Sequence, residues 1–205
     1  MNIFRLSIGY FKRFSTCNMS GKSALVILAE GAEEMEFVIS VDVLRRAEIK
    51  VDVAGLDGIA PVKCSRDVVI TPDISLDDAS SQSYDVVVLP GGKASQTLAD
   101  SEKVGNIIRE QEKSGRLVAA ICAAPIALKS HGVGTGKNLT SYPSVKEQMV
   151  SGDKYKYSEE RVVVDGNLLT SRGPGTAFEF ALAIVDKLVG KDAVDNLKKA
   201  MLVNC

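Results

Sequence analysis

From residue 24 onward the chain alternates short, uninterrupted apolar runs with stretches of helical periodicity. The runs are ALVILA at 24–29, VDVAGL at 51–56, DVVVL at 85–89 and LVAAI at 117–121. They are too short for buried helices, so each reads as a strand; 85–89 and 117–121 read as buried ones, and 51–56 carries Asp52. Between them, 33–47 repeats Met35, Ile39, Val43 and Ala47 at helical spacing, and 101–114 reads as an exposed, charge-laced helix. Strands and helices in alternation specify an α/β fold with a mostly parallel sheet covered on both faces.

The rest of the chain fits this frame. Residues 61–73 read as a small hairpin with Cys64-Ser65-Arg66-Asp67 at its turn. Strands are expected at 139–142, 162–164 and 168–170, and helices at 177–189 and 192–202. In such sheets ligands bind beyond the carboxyl ends of the strands. Four loops leave those ends, at 30–36, 90–93, 122–124 and 171–176, and are expected to share one mouth.

One of these loops carries chemistry. In LVAAICAAP, Leu117 to Pro125, a buried strand stops at Cys122, and small residues with a proline then open a helix that ends near His131-Gly132. A cysteine on a strand-to-helix turn sits like a hydrolase nucleophile, where unpaired N–H groups at the helix start favour the thiolate. A buried structural cysteine is the other reading.

Composition excludes several classes. With 205 residues, 45% of them hydrophobic, the chain suffices for one well-buried core over 23–205. A net charge of −1 offers no basic face for nucleic acid, and no apolar run approaches the roughly 20 residues of a membrane span. The four cysteines, at 17, 64, 122 and 205, form no CxxC pair, so neither a disulfide framework nor a metal site is expected. Cys64 and Cys205 read as solvent-facing thiols. Residues 1–22 hold Arg5, Lys12, Arg13 and Lys22 without an acid; of the chain's 25 basic and 26 acidic groups, this leaves a deficit of five positive charges for the remainder. Wound as a helix, this leader is amphipathic, which suits a mitochondrial targeting segment; a disordered leader, bypassed by a start at Met19, is the alternative.

A nucleophilic cysteine commonly pairs with histidine, but the only one here is His131, roughly 13 Å from Cys122 along the same helix. Carboxylates remain. Glu33, Glu34 and Glu36 open the first helix on the same sheet edge, where a desolvated acid would have a raised pKa and could move protons. Pro90-Gly91-Gly92 offers free N–H groups with close backbone access, as an oxyanion site needs, and Arg172 beside Gly173-Pro174-Gly175 could hold an anion.

GAEEMEFV, CSRDVV, YDVVVLPGG, AAICAAP and TSRGPGTAFEFALAIV, in this order, closely resemble the ThiJ/PfpI superfamily, in its protein and nucleic acid deglycase branch. The likeness runs from about Ser23 to Val203. It implies a flavodoxin-like three-layer sandwich that works as a homodimer without metal or organic cofactor. By motif position, Cys122 matches the family's reactive, oxidisable cysteine and Glu36 the glutamate that hydrogen-bonds its sulfur. Gly92 and Ala123 match the backbone donors, next to Gly91. Arg66 and Arg172 match pocket arginines, the first supplied across the dimer. Where many relatives carry a pocket histidine, this chain has Tyr142, a poor base at neutral pH.

The resemblance implies an oxidative-stress-protective, redox-sensing protein with glutathione-independent glyoxalase and protein deglycase activity on methylglyoxal and its early adducts. Small dicarbonyls and glycated proteins would be its substrates, protein clients its further partners, and the cytoplasm and mitochondrion, with a nuclear pool, its locations. A non-enzymatic redox-regulated chaperone or partner-binding protein is the rival reading. A cysteine peptidase lacks its histidine.

Overall fold

Every residue of the runs at 86–89 and 117–121 is buried in the computed structural model, which describes residues 21–205. All but the last two residues of the basic leader therefore fall outside the described residues. In chain order the elements are β1 (Ser23–Leu28), α1 (Glu34–Arg46), β2 (Lys50–Gly55), β3 (Val62–Lys63), β4 (Val69–Ile70), β5 (Ile74–Ser75), α2 (Leu76–Ser80) and β6 (Val86–Leu89). There follow α3 (Ala94–Asp100), α4 (Glu102–Lys113), β7 (Leu117–Ile121), α5 (Pro125–Ser130), β8 (Asn138–Leu139) and α6 (Lys146–Val150). The chain continues through β9 (Lys156–Tyr157), β10 (Val162–Asp165), β11 (Leu168–Ser171), α7 (Ala177–Leu188) and α8 (Lys191–Met201).

The central sheet has the order β10-β11-β7-β6-β1-β2-β5, and every neighbouring pair is parallel except β10 with β11. This order explains the layers. From β1 the chain crosses to β2 in one direction, and from β6 to β7 in the other. Right-handed crossovers then place α1 and α4 on opposite faces. Helix α7 packs on α1 and α8, whereas α3 packs on α4 and α5, giving the expected flavodoxin-like three-layer sandwich. The core between layers is built on fully buried Leu25, Ile27, Leu89, Ile121 and Phe180.

Pairing also fixes where the loops leave. Leu28 lies opposite Gly55, Leu89 opposite Ala120, and Ile121 opposite Ser171, so β1, β6, β7 and β11 end along one edge.

Three expectations are corrected. The stripe through Met35, Ile39, Val43 and Ala47 is only part of the buried face of α1: Met35 is 51% exposed, Ile39 packs on the core, Val43 and Ala47 are buried, and the face also takes in Glu36, Phe37, Ser40 and Leu44. A strict four-residue repeat precesses about 40° per step, so its two ends look different ways. Polar residues disguised the true face, since the Ser40 hydroxyl satisfies itself on the Glu36 carbonyl at 2.6 Å. Cys64 is buried, because the β3–β4 hairpin folds onto the loop after β1 through Gly31 N–H to Lys63 O and Ser65 N–H to Ala32 O, both 2.8 Å. The strand expected at 139–142 stops at Leu139, and the Tyr142 N–H turns away to donate to the Cys122 carbonyl at 2.7 Å. Helices α2, α3 and α6 had no apolar repeat long enough to announce them.

Candidate active site

The elbow is a strained turn. Cys122 has φ of 66°, a left-handed conformation that costs a non-glycine residue about 1–2 kcal/mol. Neighbours hold it there. Its N–H donates to Ser171 O at 2.9 Å, extending the β7–β11 pairing by one residue, while its carbonyl accepts the Tyr142 N–H. Pro125 at the first turn of α5 contributes φ without a further orphan N–H. The thiol, 7% exposed, receives the backbone N–H groups of Gly92 and Ala123 and faces the Glu36 carboxyl.

Glu36 is fixed from both ends. The Glu33 carboxylate caps α1 by accepting the Glu36 N–H at 2.9 Å, and the Gly91 N–H donates to Glu36 Oε2 at 2.8 Å. The other oxygen, Oε1, is buried without a hydrogen-bond partner, and the carboxyl as a whole lies against the Cys122 side chain. Burial pushes the carboxyl up from 4.5 to about 7, against the lowering effect of Cys122 and the Gly91 N–H. The thiol is pushed up to about 12 by its own burial, then by the charge and hydrogen bond of Glu36, with the Gly92 and Ala123 N–H groups opposing.

These two groups titrate as a pair. An ionised Glu36 suppresses the thiolate, and a protonated Glu36 both removes that charge and offers its proton to the sulfur. With the carboxyl near 7 and the thiol near 12, the pair carries between one and two protons around neutral pH. The helix-start donors alone do not create the thiolate that the turn geometry had suggested.

Glycine is required at both donor positions. A Cβ on Gly91 would lie 2.6 Å from the Cys122 Cβ and 2.7 Å from Glu36 Oε2. One on Gly92, which has φ of 84°, would lie 2.5 Å from Glu33 N and Gly31 O. The loops at 30–36, 90–93, 122–124 and 171–176 do converge: Glu33 N–H donates to Gly91 O at 3.1 Å, and Ala32 bridges Gly92.

The remaining candidates lie around this centre. Tyr142 is 42% exposed, with its ring against Gly173, and Arg172 follows the Ser171 carbonyl that binds the elbow. Its guanidinium Nη1 donates to the Glu159 carbonyl at 2.8 Å and pairs with the Glu159 carboxylate. Arg66 is exposed; its N–H donates to Glu34 Oε1 at 2.7 Å and its guanidinium to Ser65 O at 3.2 Å, so within one chain it makes no bond to Cys122 or Glu36. His131 caps α5, with Nε2 3.3 Å from Leu98 O and Nδ1 3.5 Å from Arg109, away from the sulfur. Among the described residues no three His, Cys, Asp or Glu side chains cluster as a metal site.

Sequence reasoning did not single out Glu33 as the cap, Ser171 as the anchor of the elbow, or Glu159 as the partner of Arg172. The three-residue spacing of Glu33 to Glu36 was the one available signal, since a side-chain acceptor capping the N–H three residues on is a common helix start.

Comparison with known proteins agrees with this architecture. A crystal structure of DJ-1beta from Drosophila melanogaster superposes with a TM-score of 0.87 at 59% identity, covering 90% of this chain and 99% of that one. The Parkinson disease protein 7 homolog of Danio rerio is 55% identical over 90% of this chain and 99% of its own length. A Caenorhabditis elegans protein named glutathione-independent glyoxalase DJR-1.2 is 41% identical over 88% of this chain and 96% of its own. The DJ-1/PfpI family pattern itself matches residues 22–187, most of the strand, helix and elbow framework described above. By this match and these identities, the chain belongs to the DJ-1/PfpI family.

Proposed function

We propose that the chain is a glutathione-independent glyoxalase and protein deglycase whose nucleophile also senses peroxide. The carrying observation is the buried Glu36 carboxyl, poised near neutrality, against Cys122 with donors on both groups. Sulfur adds to the aldehyde carbon of methylglyoxal, and the carbonyl electron pair moves to oxygen, stabilised by the N–H groups of Gly92 and Ala123. Glu36 gives its proton to that oxygen. As carboxylate it then takes the hydrogen from the same carbon as a proton and returns it to the neighbouring one, while the hydroxyl proton of the first carbon passes to the ketone oxygen of the second, leaving a lactyl thioester. Water cleaves the thioester to lactate and regenerates the thiol, so the sequence consumes one water and no oxidant or reductant. In an early adduct the aldehyde carbon already carries a protein thiol or amine; the Cys122 sulfur displaces it from that carbon, the leaving group departs with the Glu36 proton as the repaired side chain, and the same hydrogen shift follows. The C. elegans relative's name supports this reaction class.

As a sensor, Cys122 would be oxidised by peroxide to sulfenic and then sulfinic acid, with Glu36 and the two N–H groups holding the added oxygens. The protein would act as a homodimer. Met35 and Val38 on α1 and Val68 and Val69 on the hairpin, all more than 45% exposed, support a shared apolar face, and sedimentation at micromolar concentration tests it.

The deciding experiment is lactate formation from methylglyoxal without glutathione by wild type, Cys122→Ala and Glu36→Gln, beside intact mass after graded peroxide. Turnover in wild type, lost in both variants, is the expected result. Absence of wild-type turnover, with two oxygens added only where Cys122 is present, would leave the sensor and remove the enzyme.

A further inference from the structure

Arg172, beside the nucleophile, is not free to receive an anion. Its guanidinium pairs with Glu159 Oε2 and donates to the Glu159 carbonyl, while Lys146 pairs with Glu159 Oε1. Lys146 also stands 5.3 Å from the centre of the Tyr157 ring, whose hydroxyl donates to Ser141 O at 3.2 Å. One carboxylate thus joins three segments: the loop after β9, the turn after β11 that follows the elbow's anchor Ser171, and the helix that follows Tyr142. Both segments that touch the backbone of Cys122 carry a cation, and both cations end on Glu159.

We propose that Glu159 is a specificity-determining residue: by occupying Arg172 and Lys146 it keeps the mouth over Cys122 from attracting anions, so neutral dicarbonyls are taken in preference to 2-oxo acids and other carboxylates. The substrate class rests on the glyoxalase reading; the charge selectivity of the sulfur does not. Glu159 is 57% exposed, and the Arg172 side chain only 21%. Removing the carboxylate charge therefore leaves two cations without a carboxylate, one of them half-sheltered from solvent screening, on the two segments that hold the Cys122 backbone. Loss of one unit charge at such a rim changes an anion's encounter with the sulfur by about two- to fourfold at low ionic strength, and salt suppresses the change.

The test is alkylation of Cys122 in the full chain by iodoacetate and by iodoacetamide, an anion and a neutral reagent of similar size. Peptide mass reads Cys122 separately from Cys17, Cys64 and Cys205. Glu159→Gln, which keeps hydrogen-bonding capacity, is expected to raise the iodoacetate-to-iodoacetamide rate ratio at least twofold in dilute buffer, with the rise shrinking at high salt. Glu159→Asp should leave the ratio near wild type. In parallel, glyoxylate, an aldehyde bearing a carboxylate, should inhibit methylglyoxal turnover more tightly in Glu159→Gln. An unchanged alkylation ratio, or a rise that salt does not reduce, overturns the inference. If wild type shows no turnover at all, the glyoxalase reading fails while the alkylation ratio still decides the role of Glu159.

Discussion

Replacing Glu36 by glutamine should stabilise the protein in mild alkali and not in acid. A carboxyl that titrates near 7 in the fold and at 4.5 in the unfolded chain binds its proton more tightly when folded. The associated stability is complete below pH 4.5 and is lost as pH rises through 7. From the two pKa values, the wild-type fold should lose about 3 kcal/mol over that interval through this one group. Glutamine is neutral throughout and can still accept the Gly91 N–H on its carbonyl oxygen. Its NH2 group would take the place of the buried Oε1, where no acceptor is bonded, and this costs about 1–2 kcal/mol at every pH. The variant should therefore be less stable than wild type at pH 5 and more stable by about 1–2 kcal/mol at pH 8.5. For a chain of this size that is roughly 3–6 °C in Tm. Urea titration of both proteins at pH 5 and 8.5, at one protein concentration, measures the difference. Subtracting wild type from variant cancels every titrating group except Cys122, which is coupled to Glu36, so the two proteins are also compared in a Cys122→Ala background; a difference that changes with pH in neither background would refute the assignment of a buried, proton-binding carboxyl at residue 36.

Gly91→Ala should abolish turnover and destabilise the fold by about 1–3 kcal/mol, because the new methyl would press on both Cys122 and Glu36; activity and urea titration read the two effects. A maleimide pulse should label Cys205 quickly and Cys64 slowly, since the first is exposed and the second is buried within the docked hairpin; equal rates, read by peptide mass, would contradict that docking.

The layers of this fold were legible because each depended on one local signal. The runs at 86–89 and 117–121 are apolar at every position, and only burial on both sides accommodates that pattern. Cys122 stood out because a buried run, small residues and Pro125 follow in immediate succession. Glu36 was harder to separate from its neighbours. Charge alone makes Glu33, Glu34 and Glu36 equivalent, and their division into a cap, a partner of the Arg66 N–H and a buried acid follows from how α1 is rotated against the sheet. The polar Ser40 beside Val43 hid that rotation. Burial of Cys64 and the grip of Glu159 on Arg172, 13 residues away, are tertiary contacts between loops, and no periodicity encodes them.

Both backbone groups of Cys122 are committed, its N–H to Ser171 and its carbonyl to Tyr142, in a conformation the residue would not adopt alone. The sulfur is thus an anvil and not an arm: it cannot advance toward an electrophile, and reaction requires that the electrophile be delivered to a fixed point. Selectivity then belongs to the approach route, on which we place the side chains of Tyr142, Arg172 and Glu159; backbone groups, and not these side chains, set the position of the sulfur. Such an arrangement lets new electrophiles be admitted by changing the route while the reacting atom stays where it is.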